Sequence, residues 1–181
     1  MQKRTHTLLA RTLLRSEMGF SARRFELAFL FGSFQPDVNP LSYLKGSVHY
    51  NKLKGHNYDN SRAYINAKIQ KLQRHQRWTI WQYYTLGKLT HYLADAYTYP
   101  HNPNYPNSML DHHNYETDFR QFMRGYLAHR YLRRQQARRD LIAALEELHQ
   151  QYMATRASMV RDANYILKAT SLLMAGCLPA A

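Results

Sequence analysis

The chain has 181 residues, 45% hydrophobic and 20% charged, a globular composition long enough to bury a core, which excludes disordered and collagen-like classes. A single cysteine, Cys177, excludes an internal disulfide framework and any multi-cysteine metal cluster. The 25 Lys+Arg against 12 Asp+Glu give a net charge of +13, a field that draws phosphates, acidic lipids and nucleic acids.

The opening MQKRTHTLLARTLLRSEMGF is basic, and Arg11 and Arg15 interrupt its apolar residues. It lacks the apolar core and cleavage site of a signal peptide, so a cytoplasmic location is expected. It reads as an amphipathic helix with Leu8, Leu9, Leu13 and Leu14 on one side. A short helix is expected over 21–31. Two prolines, three glycines and the run PDVNP make 32–55 read as irregular. Residues 57–60 read as a turn offering helix caps, followed by a helix over 61–74 with Ile65, Ile69 and Leu72 at helical spacing. A long apolar helix over 79–97 leads into YPHNPNYPN, a Pro- and Asn-rich loop. Helices over 108–128, 138–157 and 159–173 complete the chain, the first extending into the Arg-rich stretch after it or stopping before it. No segment shows sustained strand alternation or an internal repeat, and no apolar run approaches the ~20 residues of a membrane span. The expectation is an all-α multi-helix bundle, one domain over 1–181, with two long functional loops.

Ten histidines are present, and several recur with acids at helical spacing. His91 and Asp95 lie four apart on the long apolar helix, on one face. Facing inward they need partners, and the pair reads equally as a structural hydrogen bond or as two metal ligands. His112 and Glu116 repeat the spacing on the next helix. His113 has Thr117 four residues on, so it reads as solvated or as a partner of a ligand. His101, after Pro100, stands between the two pairs; alone it reads as an exposed loop residue, and beside them as a further ligand. Imidazole and carboxylate suit zinc, and such mixed sets also take iron or manganese.

The order His91-x3-Asp95-x5-His101, then His112-x3-Glu116, resembles the zinc-dependent phospholipase C family, whose fold is shared by single-strand-specific zinc nucleases. GSFQPDVNP is similar to the family's loop carrying a metal-binding aspartate, here Asp37, and GHNYDN to its next histidine turn, here His56; the helix at THTLLA is similar to the family's first helix, with His6 as ligand. The resemblance implies an all-α bundle holding up to three zinc ions. Asp37, His56 and His91 would hold one, Asp95 would bridge it to a second that His6 also binds, and His101, His112 and Glu116 would hold the third. It further implies in-line attack on phosphorus by a hydroxide between zincs, with Asp95 and Asp37 as the catalytic carboxylates, Asp37 chiefly as a ligand.

Two features depart from the family pattern. The secreted enzymes begin with a tryptophan whose amine and carbonyl bind zinc, whereas Trp78 and Trp81 lie deep in this sequence and Met1 stands five residues before His6. The amine of Met1 is within reach as a substitute. The ligand after Asp37 is His56 or His49, and the GHNYDN match favours His56. The leading functional expectation is a phospholipase C-like hydrolase releasing phospholipid headgroups, with peripheral contact to an anionic membrane. The lipases end with His-x3-Glu and the nucleases with His-x3-Asp, so Glu116 leans towards lipid. Tyr92, Tyr97, Tyr99, Tyr105 and Tyr115 offer a cationic headgroup aromatic faces, although packing alone explains most of them. A zinc nuclease acting on single-stranded nucleic acid is the alternative, favoured by Arg124, Arg130, Arg133, Arg134, Arg138 and Arg139; a solvated helix face explains the same arginines. A zinc-binding homologue without activity is the third reading. The C-terminal third is expected only to pack, with Cys177 as a buried core residue.

Overall fold

The computed structural model describes residues 1–16, 20–38, 58–102, 105, 108–128, 130, 132 and 135–179. Seven α-helices occupy them: α1 Lys3–Ser16, α2 Arg23–Val38, α3 Tyr58–Arg74, α4 Ile80–Ala96, α5 Met109–Ala128, α6 Leu141–Ala154 and α7 Met159–Cys177. A 3-10 turn, Tyr99–His101, follows α4, and no strand occurs among the described residues.

Helix α4 is the axis of the bundle. Thr79 caps its start, accepting from the Trp81 N–H, while Gln82 Oε1 returns a bond to the Thr79 N–H at 2.8 Å. Leu86, Leu89 and Leu93 are buried along it, and α1, α2, α3 and α7 pack around it. Such an apolar helix buries on nearly every side, unlike α1, whose buried stripe is Thr5, His6, Leu9, Ala10, Thr12 and Leu13. The α2–α4 crossing is the tightest. A methyl group on Gly87 would overlap the Phe29 carbonyl oxygen, and one on Gly32 the Tyr84 carbonyl oxygen. Two glycines facing each other let the two backbones touch.

Several boundaries differ from the sequence reading. Residues 32–38 are helical, so Asp37 lies in the last turn of α2, not on a loop. Pro36 fixes φ near helical values and removes only one N–H, a defect tolerable close to a helix end, while the Gly32–Gly87 contact holds this turn against α4. Tyr58 to Asn60 belong to α3 rather than to a turn. Helix α5 ends at Ala128, before the Arg-rich stretch. Helix α7 runs four residues beyond the expected end, to Cys177, because its buried stripe continues through Met174 and Cys177. His49 and His56 lie outside the described residues.

Candidate metal centre

His91 and Asp95 point from successive turns of α4 into the gap between α1 and α2. His91 Nε2 stands 3.2 Å from Asp95 Oδ2. The other oxygen, Asp95 Oδ1, stands 3.2 Å from His6 Nε2 on α1. The two carboxylate oxygens therefore face two different imidazoles, the disposition a bridging carboxylate needs. Asp37 closes the group from α2, with Oδ1 3.6 Å from His91 Nε2 and Oδ2 4.0 Å from His6 Nε2. The rings of His6 and His91 stack at 3.8 Å between centroids. His6, His91 and Asp95 are fully buried.

His91 Nδ1 lies 3.0 Å from the Ser33 carbonyl oxygen. A carbonyl only accepts, so Nδ1 carries the proton and the lone pair is left on Nε2, the nitrogen that faces the carboxylates. The sequence reading missed Ser33, whose contribution comes from its backbone and which therefore left no side-chain signal.

A second group lies alongside. Glu116 Oε1 is 3.2 Å from His112 Nε2, one turn earlier on α5, and 3.3 Å from His101 Nε2 on the 3-10 turn. The His101 and His112 rings meet edge to face at 5.0 Å. The amine of Met1 sits between the groups, 2.7 Å from Asp95 Oδ1, 3.0 Å from Glu116 Oε1 and 3.1 Å from His101 Nε2.

The electrostatics suit a cation. Burial pushes His6 down to about 3, helped by neighbouring His91, so it is neutral and offers the lone pair of one ring nitrogen. Burial resists ionisation of Asp95, but the Met1 amine and the histidines around it outweigh that and hold its carboxyl well below the usual range. Glu116 is likewise lowered: burial opposes ionisation, while hydrogen bonds from His101 and His112 and the Met1 amine overcome it. Burial raises Asp37 to about 6, against the pull of His91. The Met1 amine, disfavoured by burial, is raised to about 10 by Asp95 and Glu116. Both ring nitrogens of His6, together with Asp37 Oδ2, are buried without a hydrogen-bond partner among the described residues. Such groups are costly to bury unpaired. Acceptors converging on a buried point, beside an ammonium that two carboxylates already hold, form a donor set that fits a divalent metal. Two clusters qualify among the described residues: His6, His91 and Asp95, and His101, His112 and Glu116.

A model of the family described as zinc dependent phospholipase C matches residues 5–159. The chain belongs to that family. No curated protein and no solved structure matched the chain. In this zinc-dependent phospholipase C family member, seven of the eight ligands expected from sequence stand close together: His6, Asp37, His91 and Asp95 in one group, His101, His112 and Glu116 in the other. The eighth, His56, falls outside the described residues. His113 is exposed, next to the candidate ligand His112 in the chain and outside both clusters.

Proposed function

We propose that this chain is a zinc-dependent phosphodiesterase that hydrolyses the headgroup phosphoester of phospholipids. The observation that carries the reading is Asp95, buried between His6 and His91 and tied through the Met1 amine to Glu116 of the second group. One group with His6, His91, Asp95 and Asp37, and one with His101, His112 and Glu116, are the residues that would hold zinc, with up to three ions as the family resemblance implies. Bound there, zinc would supply a water activated near neutral pH and positive charge for the phosphoryl oxygens. Asp95 keeps the two groups in register. Asp37 is about one-fifth exposed; burial raises its carboxyl to about 6 in the metal-free protein, and a bound zinc would hold it ionised as a ligand.

Two surfaces support a lipid substrate. A cavity of about 330 Å3 is lined by Tyr99, Tyr105, Asp111, Asn114, Tyr115 and Asp118. It lies beside the second group, since the Tyr105 ring is 6.2 Å from that of His112. Aromatic faces with carboxylates attract a cationic headgroup, an unusual local sign in a chain of net charge +13. On the outer side of α2 and α4, Leu27, Phe31 and Trp81 are 56%, 52% and 72% exposed. Phe31 and Trp81 are joined through Tyr84, with ring centroids 5.8 and 6.2 Å apart. Lys3 and Lys88 lie over the neighbouring Phe34 and Tyr84 rings at 4.7 and 5.8 Å. An exposed aromatic ridge with lysines at its edge matches the chemistry of an anionic bilayer surface and supports peripheral contact with such a membrane. No described helix is long and apolar enough to cross a membrane.

The test is to count zinc in the purified protein and to assay a soluble choline phosphodiester, phosphatidylcholine vesicles with and without anionic lipid, and single-stranded DNA in parallel. Headgroup release that falls by at least roughly 100-fold in Asp95→Asn is expected, since even groups behind metal ligands are worth about 10–100-fold. A Phe31→Ser/Trp81→Ser variant should keep activity on the soluble diester and lose it on anionic vesicles. Cleavage of DNA alone would overturn the lipid reading in favour of the nuclease, and tight zinc without turnover would favour a non-catalytic homologue.

A further inference from the structure

Asp162 is fully buried in the first turn of α7, beyond the residues that the family model matches. A buried carboxylate must have its lone pairs filled, and the partners of Asp162 are unusual in where they come from. Its Oδ2 accepts from the Tyr99 backbone N–H at 2.7 Å and from the Tyr115 hydroxyl at 2.6 Å. Its Oδ1 accepts from the Tyr152 hydroxyl at 3.0 Å and from Arg161 Nε and Nη2 at 3.0 and 2.8 Å. Arg161 is held in turn by the Thr155 carbonyl oxygen at 2.8 Å and by the Tyr152 hydroxyl at 2.8 Å.

Two of those donors belong to the segments that bear the second metal group. Tyr99 opens the 3-10 turn that ends on His101. Tyr115 lies three residues after His112 on α5, the helix that also carries Glu116, so it shares the His112 side of that helix. One oxygen, Asp162 Oδ2, therefore ties the turn carrying His101 to the helix carrying His112 and Glu116.

We infer that Asp162 is a positioning residue for the His101–His112–Glu116 group: it sets the distance between the His101 turn and helix α5, so that three ligands stand ready before an ion arrives. The inference rests on the metal-centre reading of the preceding subsection. It predicts a site-selective effect. Preorganisation costs nothing to the His6–His91–Asp95 group, whose ligands come from α1 and α4, and it governs the other.

The experiment measures zinc content and affinity of the full chain for the wild type, Asp162→Asn, Tyr115→Phe and Tyr152→Phe, alongside thermal unfolding of each after chelation. Tyr115→Phe removes the bond to α5, while Tyr152→Phe removes a bond to the other oxygen of the same carboxylate that touches neither ligand-bearing segment. The expected result is roughly tenfold or greater weakening of one zinc in Asp162→Asn and in Tyr115→Phe, with the remaining zinc retained. Tyr152→Phe should lower the unfolding temperature of the chelated protein and leave zinc affinity near wild type. If Asp162→Asn does not fold, the Tyr115→Phe and Tyr152→Phe pair carries the comparison. Wild-type affinity for every zinc in Tyr115→Phe, or equal weakening in both tyrosine variants, overturns the positioning role while the metal centre stands. A wild type that takes up no zinc overturns the metal centre and this inference together.

Discussion

His6 and Asp37 approach each other from different helices, and burial moves their protonation in opposite senses. His6 is depressed from an ordinary value of 6.5 to about 3, so its contribution to stability is present above 6.5 and is lost as pH falls towards 3. Asp37 is raised from 3.8 to about 6, so its contribution is present below 3.8 and is lost as pH rises through 6. Between about pH 4 and about pH 6 the two slopes oppose each other. Asp37→Asn deletes one of them. Urea unfolding of the chelated variant should show stability climbing more steeply with pH across that window than in the chelated wild type, where Asp37 offsets His6. Parallel slopes for the two proteins would show that the Asp37 carboxyl is not raised. At this scale the pairs His91/Asp95 and His112/Glu116 were legible in sequence, because four-residue spacing on a helix fixes which side chains share a face. The Ser33 carbonyl that sets the His91 tautomer and the Asp162 carboxylate that ties Tyr99 to Tyr115 were not legible. Both act across at least 47 positions of chain, and neither leaves a local pattern.

Helix α2 shows what an element contributes. It brings Asp37 to His91 only because Gly32 and Gly87 let its backbone touch that of α4. Gly87→Ala should push the two helices apart, costing about 3 kcal/mol in urea unfolding and weakening zinc held by Asp37 and His91. Gly125, in α5, has open space where a Cβ would stand, so Gly125→Ala should stabilise by about 0.5–1 kcal/mol through helix propensity alone. Similar effects for the two alanines would mean that the close crossing is absent. The sequence reading ended α2 near Phe31 because glycine and proline usually break helices. It misjudged the element because Gly32 serves interhelical contact rather than a turn, a distinction that exists only when α4 is in place.

Across the whole molecule, the candidate ligands come from α1, α2, α4, the 3-10 turn and α5. A metal bound by them would cross-link most of the bundle and would favour the folded state over the unfolded one. Zinc at 1,000 times its dissociation constant should add about 4 kcal/mol of stability, read as a rise in unfolding temperature that chelation reverses. An unfolding temperature indifferent to zinc would show that the clusters do not bind it. Composition and periodicity alone were enough for an all-helical chain and for the pairs His91/Asp95 and His112/Glu116, since these depend on residue type and on spacing within one helix, whereas His6 and Asp37 entered as candidate ligands through the family resemblance. Only tertiary structure decided that Asp95 faces His6 with one oxygen and His91 with the other, that the Met1 amine enters the same cavity, and that a carboxylate in the last helix braces the second group. Those are relations between segments far apart in the chain, and their distances are set by how helices pack, which no local spacing encodes.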